Sequence, residues 1–185
     1  MMSSDPRNEL VEHLPALRAF ALSLTRNAAT ADDMVQDAVV KAWTNIDKFE
    51  PGSKMRAWLF TILRNTYYSS LRKSNREVAD VDGAFTEGLS VKPDHDGRMQ
   101  MSDFKEAFET LPDEQREALI LVGASGFTYE ETATMTGVAV GTVKSRVNRG
   151  REKLTELLNL SEGDPMELTD SATMAVITSS APVKR

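Results

Sequence analysis

Apolar residues recur at helical spacing through the first 76 positions and form three stripes. The first stripe has intervals of three and four residues, the period of one helix face, and consists of Leu10, Leu14, Leu17, Ala21 and Leu24. The second consists of Val35, Ala38, Ala42 and Ile46, with Trp43 beside it. The third consists of Trp58, Leu59, Ile62, Leu63 and Thr66. The pattern predicts three helices in a first domain that covers residues 5–76.

Local signals predict where these helices begin and end. Residues 27–30 interrupt the first stripe, and Thr30, which is followed by acidic residues, is the predicted N-cap of the second helix. Pro51 and Gly52 end that element, because proline and glycine favour turns. Ser53 is the predicted cap of the third helix.

The periodicity is lost over residues 77–101, which are acidic and contain three glycines and a proline. Such a composition predicts a linker. Periodicity then returns with a short helix near residues 104–109 and a longer one, which Pro112 opens in its first turn and which stops around residues 125–126.

A second domain is therefore predicted at residues 102–159. Residues 160–185 are rich in serine, threonine and acidic side chains, and we expect them to be a disordered tail. The predicted fold class is all-α, with two small helical domains joined by an acidic flexible linker.

Residues 128–151 carry the pattern of a helix-turn-helix, a unit that places its second helix in the major groove of duplex DNA. Thr128 and Glu131 form a predicted capping box, which starts the first helix. Gly137 ends that helix where a left-handed residue is needed. The second helix begins near Val140, and its predicted buried face consists of Val143, Val147 and Leu154.

The second helix of this unit is basic. Residues 137–151 hold no acidic residue and four basic ones, namely Lys144, Arg146, Arg149 and Arg151. A run of charge alone fits a solvated helix in an all-α bundle equally well. The capping box, the glycine turn and the acid-free second helix together favour contact with DNA.

Residues 51–76 form a second acid-free stretch, in which cations alternate with aromatic side chains. The cations are Lys54, Arg56, Arg64, Arg72, Lys73 and Arg76, and the aromatic residues in or beside the stretch include Phe49, Trp58, Tyr67 and Tyr68. Cations hold phosphates, and an aromatic ring that stacks on an unpaired base contributes ~1–3 kcal/mol. The amide of Asn65 can pair with a base edge. Beside a helix-turn-helix that binds duplex DNA, such a block points to promoter recognition.

The helical periodicity also limits which of these aromatic residues can lie at the surface. Trp58 lies within an apolar stripe, so we expect it in the core. Tyr67 and Tyr68 are adjacent and cannot both face the core of one helix, so at least one is expected at the surface.

Composition narrows the class of protein further. The net charge of the 185-residue chain is −6, so the two basic stretches are islands that can attract phosphate in an otherwise acidic molecule. The absence of cysteine excludes disulfides and thiolate metal sites. No apolar run approaches the ~20 residues of a membrane helix, and no nucleophile, metal cluster or phosphate loop marks an enzyme. We expect a cytoplasmic, non-catalytic protein without a cofactor or metal.

Three segments resemble the extracytoplasmic function (ECF) sigma factors of bacterial RNA polymerase, both in their residues and in their order along the chain. ADDMVQDAVVKAW, residues 31–43, resembles region 2.2, which in that family docks on the clamp coiled coil of the polymerase. KMRAWLFTILRN, residues 54–65, resembles regions 2.3 and 2.4, and residues 111–154 resemble region 4. Residues 76–85 and 120–131 look most like the EcfG-type general stress response sigma factors of alphaproteobacteria.

The resemblance implies roles for the matching positions. Core polymerase contact is implied for Asp33, Gln36, Asp37 and Trp43, although plain helix packing explains Trp43 equally well. The −10 element is assigned to Phe49, Lys54, Arg64, Asn65, Tyr67 and Tyr68, with Phe49 and Asn65 at a pocket for a flipped base and Lys54 and Arg64 on phosphate. The −35 element is assigned to Lys144, Ser145, Arg146, Asn148 and Arg149, with Arg146 on backbone phosphate.

One position departs from the family. Gly150 replaces the usual alanine, and a glycine inside a helix costs roughly 0.5–1 kcal/mol. It lies three residues after Val147 on the predicted buried face, so close packing would explain it.

The function that the resemblance implies is that of a promoter-specificity subunit. Its partners would be core RNA polymerase, promoter DNA and a small NepR-like anti-sigma factor, with a PhyR-like regulator that removes the anti-sigma factor by mimicry. On the polymerase two weak DNA sites would be linked, which raises their effective concentration.

Two other classes of protein are also compatible with the sequence. A sigma-like mimic would titrate an anti-sigma factor and would not need the basic recognition residues, which are present here. A stand-alone helix-turn-helix regulator would need a ligand pocket or a dimer helix within residues 5–76, and it would leave the acid-free aromatic stretch unexplained.

Overall fold

The computed structural model describes residues 6–50, 53–79 and 101–158, and all regular structure in these ranges is helical. The predicted tail and most of the predicted linker lie outside the described residues. The eight helices are α1 (Pro6–Glu12), α2 (Leu14–Thr25), α3 (Ala28–Thr44), α4 (Met55–Ala79), α5 (Met101–Glu109), α6 (Asp113–Leu119), α7 (Tyr129–Thr136) and α8 (Val140–Leu157). A short 3₁₀ turn covers Ile46–Lys48, and a π-helical turn covers Ile120–Ala124.

The N-terminal helices differ from the prediction in two places. The first stripe spans two helices rather than one, and they meet at His13, with Pro15 in the first turn of α2. Proline fits there because it lacks only an N–H that has no partner inside the helix. The N-cap of α3 is Asn27 and not Thr30: the Asn27 side chain accepts a 3.0 Å hydrogen bond from the Thr30 backbone N–H.

The ends of α4 and α6 also differ. The Ser53 hydroxyl donates to the carbonyl oxygen of Glu50 at 2.7 Å, and α4 starts at Met55 and continues three residues beyond the predicted domain end at residue 76. Pro112 is the N-cap of α6 rather than part of its first turn.

The first group of helices buries its apolar stripes between α2, α3 and α4. Its buried side chains include Leu17, Phe20, Leu24, Ala38, Leu59 and Leu63. Small alanine residues on the inner face of α3 allow the three helices to approach closely. This arrangement leaves one side of α3 and one side of α4 open to solvent.

The second group consists of α5 to α8, and α8 packs on α6 and α7. Its buried side chains include Phe104, Phe108, Leu111, Leu119, Val143, Val147 and Leu154. In the π-helical turn after α6, the Ser125 backbone N–H donates to the Ile120 carbonyl at 2.7 Å, and Gly126 then takes a positive φ of 71°. This turn leads the chain into α7 beside the first group. No helix among the described residues is both long and apolar enough to cross a membrane.

Candidate nucleic-acid interface

The helix-turn-helix has the local geometry that the sequence predicts. The Thr128 hydroxyl accepts from the Glu131 backbone N–H at 3.1 Å, and the Glu131 carboxylate accepts from the Thr128 backbone N–H at 2.9 Å. Both halves of the capping box are therefore formed. Gly137 ends α7 with a φ of 70°, the left-handed conformation that glycine adopts without a steric cost.

The outer face of α8 is a basic surface. Val143, Val147 and Leu154 are buried, whereas Lys144, Asn148 and Arg149 are exposed. Their side of the helix is free of acidic residues until Glu152. An exposed helix with adjacent cations and an amide can contact phosphates and base edges in a major groove.

The other two predicted −35 residues are more enclosed. Ser145 and Arg146 are half-buried, and the Arg146 guanidinium lies 3.6 Å from the carboxylate of Glu114 on α6. The Lys144 ammonium lies 5.6 Å from the centre of the Tyr129 ring. Of the five predicted residues, three present an open surface, and Arg146 lies beside an acidic neighbour.

The packing explanation of Gly150 is confirmed. A Cβ atom at this position would lie 2.7 Å from Cδ1 and 3.2 Å from Cγ of Leu119. Leu119 is fully buried, so it has little room to move. The glycine lets α8 lie close to α6.

One side of α4 forms a cleft of about 360 Å³ with α3 and the 3₁₀ turn. Its lining includes Lys41, Asn45, Lys48, Trp58, Asn65 and Ser69. Trp58 is half-buried and packs against Phe49, with ring centroids 5.3 Å apart. An aromatic wall, amide groups and two cations suit a planar base with its phosphate.

The cleft divides the predicted −10 residues. Asn65 lines it, whereas Phe49 is buried behind Trp58. Lys41 and Lys48 complete the cleft but are absent from the predicted set; they come from α3 and the 3₁₀ turn, and no local pattern in the sequence links them to α4. Trp58 was expected in the core, yet it forms part of this surface.

The remaining four predicted −10 residues face the second group of helices instead. The Arg64 guanidinium pairs with the Glu117 carboxylate at 2.7 and 3.4 Å, and the Tyr68 hydroxyl lies 3.2 Å from the same carboxylate. The Tyr67 hydroxyl lies 3.3 Å from the Asp113 carboxylate, and Lys54 pairs with Glu131.

This environment shifts the pKa values of several ionisable groups, including Tyr67 and Glu117. Burial, reinforced by the charge of Asp113, raises the pKa of Tyr67 to about 12. Burial also raises the pKa of Glu117, and the neighbouring Arg64 opposes that rise. Neither tyrosine is fully at the surface, because Tyr67 is buried and Tyr68 is half-buried.

The predicted polymerase-contacting residues share one open face of α3. Asp33, Gln36, Asp37 and Trp43 are all exposed. Trp43 is 51% exposed, which is more than helix packing alone would leave, and the Arg7 guanidinium lies 5.2 Å from its ring centre.

Sequence reasoning missed Val40, which is 63% exposed on the same face. It lies four residues after Gln36 and three before Trp43, so its position on the polar side of the helix could have identified it. An exposed apolar side chain beside an exposed tryptophan suits a contact surface.

Comparison with known proteins agrees with the fold. Residues 10–77 match the family model "Sigma-70 region 2", and residues 102–154 match "Sigma-70, region 4". These two modules define a sigma factor of the sigma-70 type. The chain is 53% identical over 152 residues to the ECF RNA polymerase sigma factor EcfG of Rhodopseudomonas palustris (strain TIE-1), an alignment that covers 82% of this chain and 84% of the relative. The chain therefore belongs to the ECF RNA polymerase sigma factors, as its motifs predict.

Solved structures support the same assignment. The sigma factor RpoE of Bartonella quintana, in complex with the anti-sigma factor NepR, is 52% identical, with a TM-score of 0.72 over 83% of this chain and 96% of that chain. The PhyRSL–NepR complex from Sphingomonas sp. Fr1 matches with a TM-score of 0.60 over 83% of this chain and 90% of that chain, and at 19% identity it shows the fold alone. The all-α prediction with two sigma modules is confirmed.

Proposed function

We propose that this chain is the EcfG-type promoter-specificity subunit that directs RNA polymerase to general stress response genes. The exposed basic face of α8, in a helix-turn-helix whose first helix has a complete capping box and a glycine C-cap, carries the proposal. The 53% identity to EcfG supports the subtype. In this role the chain acts in the cytoplasm with the polymerase. It performs no chemistry of its own and needs no cofactor.

The −35 element would be read by α8. Lys144, Asn148 and Arg149 contact bases or phosphates directly, and Ser145 lies beside them. Arg146 holds backbone phosphate once it leaves Glu114, since the two groups are only 3.6 Å apart in the present structure.

The −10 element would enter the cleft beside α4. Asn65 and the Phe49-supported ring of Trp58 receive an unpaired base there, and the cleft lysines lie near its phosphate. Lys54, Arg64, Tyr67 and Tyr68 can join this surface only when the second group of helices moves away, because its side chains now occupy them.

The partners follow from the family and the open surfaces. Core RNA polymerase would dock on the α3 face formed by Asp33, Gln36, Asp37, Val40 and Trp43. A NepR-like anti-sigma factor is the proposed direct inhibitor, supported by the 52% identical RpoE structure that contains NepR. A PhyR-like regulator would act indirectly by taking that inhibitor away.

Run-off transcription with purified core polymerase and an EcfG-type promoter tests the proposal. The double variant Lys144→Ala/Arg149→Ala should lose at least about 30-fold of −35-dependent initiation, because each lost contact costs about 1–3 kcal/mol. Its binding to core polymerase should stay normal. Lys153→Ala is the matched control, since Lys153 is exposed on the same helix but pairs with Glu156.

The result also separates the alternative classes. Unchanged initiation by the double variant would remove α8 from promoter recognition. A sigma-like mimic would bind NepR and support no transcription even as the native chain. A stand-alone regulator would bind duplex DNA and show no affinity for core polymerase.

A further inference from the structure

The two lysines of the cleft beside α4 are held by different groups from those that hold the nearby arginine. Lys41 belongs to α3 and Lys48 to the 3₁₀ turn, and both line the cleft. Among the described residues that line this cleft, none is acidic. The partners of the two ammonium groups are neutral oxygen atoms instead.

The Lys41 ammonium is held by Thr66 of α4. Lys41 Nζ donates a 3.0 Å hydrogen bond to Thr66 Oγ1, and the Thr66 hydroxyl donates in turn to the Ile62 carbonyl oxygen at 2.9 Å. The bond to Ile62 uses the single hydroxyl proton, so the lone pairs of the oxygen are left to accept from Lys41. Thr66 is only 7% exposed, and its hydroxyl is therefore a fixed acceptor on the wall of the cleft.

Asn45 holds the Lys48 ammonium in a similar way. Lys48 Nζ donates to Asn45 Oδ1 at 2.7 Å, and Asn45 Nδ2 donates to the Lys41 carbonyl oxygen at 2.7 Å. The bond to α3 determines which way the amide points, because only its nitrogen can donate. The amide oxygen therefore faces Lys48.

These acceptors hold the cleft lysines without neutralising them. Arg64 has the carboxylate of Glu117 as its partner, and a phosphate would have to replace that carboxylate. A hydroxyl or an amide carries no net charge, so Lys41 and Lys48 keep their full charge. An ammonium group has three N–H donors. One of them is used on the fixed acceptor, and two remain for phosphate oxygens.

The acceptors also oppose the repulsion between the two lysines. Two ammonium groups in one cleft repel each other, and they would separate toward solvent, where water and salt screen them. The hydrogen bonds to Thr66 and Asn45 keep them in the cleft. A bound phosphate would relieve the repulsion, so the cleft favours an anionic ligand.

We propose that Thr66 and Asn45 are positioning residues that hold Lys41 and Lys48 in place, and fully charged, for the phosphates of unpaired promoter DNA. This role rests on the proposed function, because it concerns how the −10 cleft is prepared for its ligand. A mobile lysine loses rotamer freedom when it binds a phosphate. Here that freedom is already lost in the unbound chain, so binding is opposed less.

A double-mutant cycle on the holoenzyme tests the role of Thr66. The probe is a fluorescein-labelled EcfG-type promoter duplex whose −10 element is left single-stranded, and fluorescence anisotropy gives its Kd with preformed holoenzyme. Thr66→Val removes the acceptor and keeps the branched shape. It should weaken binding about three- to tenfold, the equivalent of ordering one long side chain on binding. In a Lys41→Met background the same substitution should have little effect, because the lysine that Thr66 positions is gone.

The same helix provides a matched control. The Thr61 hydroxyl donates to the Ala57 carbonyl oxygen at 2.8 Å, which is the bond to the preceding turn that Thr66 also makes. Thr61 does not line the cleft, so Thr61→Val should leave the Kd unchanged. Thr66→Ser keeps the acceptor and should bind the probe as the native chain does.

A second cycle tests Asn45 against Lys48. Asn45→Ala should also weaken binding about three- to tenfold in the native background and have little effect in a Lys48→Met background. The substitution removes a hydrogen bond to α3 as well. A loss of affinity that came only from a less stable α3 would be equal in both backgrounds, so the cycle separates the two causes.

The outcomes distinguish the positioning role from the proposed function. Equal losses of affinity in the two backgrounds of a cycle would overturn the positioning role of that residue. If the native holoenzyme binds the probe but Lys41→Met and Lys48→Met have no effect, the chain still reads promoters and the cleft lysines take no part. If the native holoenzyme fails to bind the probe, the proposed function is itself wrong.

Discussion

Gly150 shows how a single missing methyl group determines the spacing of two helices. Helix propensity alone favours alanine over glycine at this position. At a solvent-exposed position the substitution of glycine by alanine would increase stability. The distance of 2.7 Å from a Cβ atom to Leu119 Cδ1 opposes it, because contacts this short are repulsive and the leucine is enclosed on all sides. Packing outweighs propensity at this residue.

Gly150→Ala should therefore destabilise the chain by about 1–3 kcal/mol, the usual cost of overpacking a well-filled core. Gly141→Ala on the same helix is the matched control, since it is exposed and has nothing within 4 Å of its Cβ position; it should stabilise the chain by about 0.5 kcal/mol. Urea unfolding followed by circular dichroism measures both. Equal stabilisation by the two substitutions would mean that Leu119 moves aside freely.

At the scale of elements, the accuracy of the prediction depends on how local the determining signals are. The capping box of α7, the turn at Gly137 and the approximate start of α8 were predicted correctly, because each depends on neighbours within four positions. The division between α1 and α2 was missed because Pro15 is compatible with an unbroken apolar stripe. The choice of Asn27 over Thr30 as a cap was missed because both side chains can accept the same kind of hydrogen bond.

The site shows the same limit at α4. The sequence of α4 correctly predicts cations and aromatic residues on one helix. Their positions along the chain alone do not show which side of α4 packs against the second group of helices. The structure divides them, with Asn65 and Trp58 beside the cleft and Arg64 and Tyr67 against the second module. The division depends on Glu117, some fifty residues later in the chain, which no local pattern connects to α4.

The turn between α7 and α8 gives a prediction at this scale. Gly137→Ala should destabilise the second module by about 1–2 kcal/mol, because a Cβ atom is disfavoured at a φ of 70°. Gly137→Asn should cost less, since asparagine tolerates the left-handed region, and nothing lies within 4 Å of either new Cβ atom. Thermal unfolding of the two variants provides the comparison. Equal losses of stability would assign the cost to something other than backbone conformation.

At the scale of the whole molecule, the surfaces proposed for polymerase and DNA differ in accessibility. Some are open to solvent, and others are covered where the two groups of helices are in contact. The α3 face proposed for polymerase, the outer face of α8 and the cleft beside α4 are open, whereas Arg64 and Tyr67 are covered. The proposed docking on polymerase can therefore begin while the two groups of helices are in contact. The proposed binding of opened DNA can be completed only after the two groups separate. An acidic chain with a net charge of −6 also resists indiscriminate binding to DNA before that step.

The α3 face provides the corresponding prediction. Val40→Asp should weaken binding to core polymerase by at least about tenfold, because a carboxylate at the centre of the contact would lose its water without gaining a partner, which costs several kcal/mol. Val11→Asp is the matched control, since Val11 is similarly exposed, at 59% against 63%, but lies on α1. Fluorescence anisotropy of the labelled full chain with core polymerase measures both affinities. Equal weakening by the two substitutions would show that Val40 is no more central to docking than any exposed apolar residue, and the α3 face would lose its assignment.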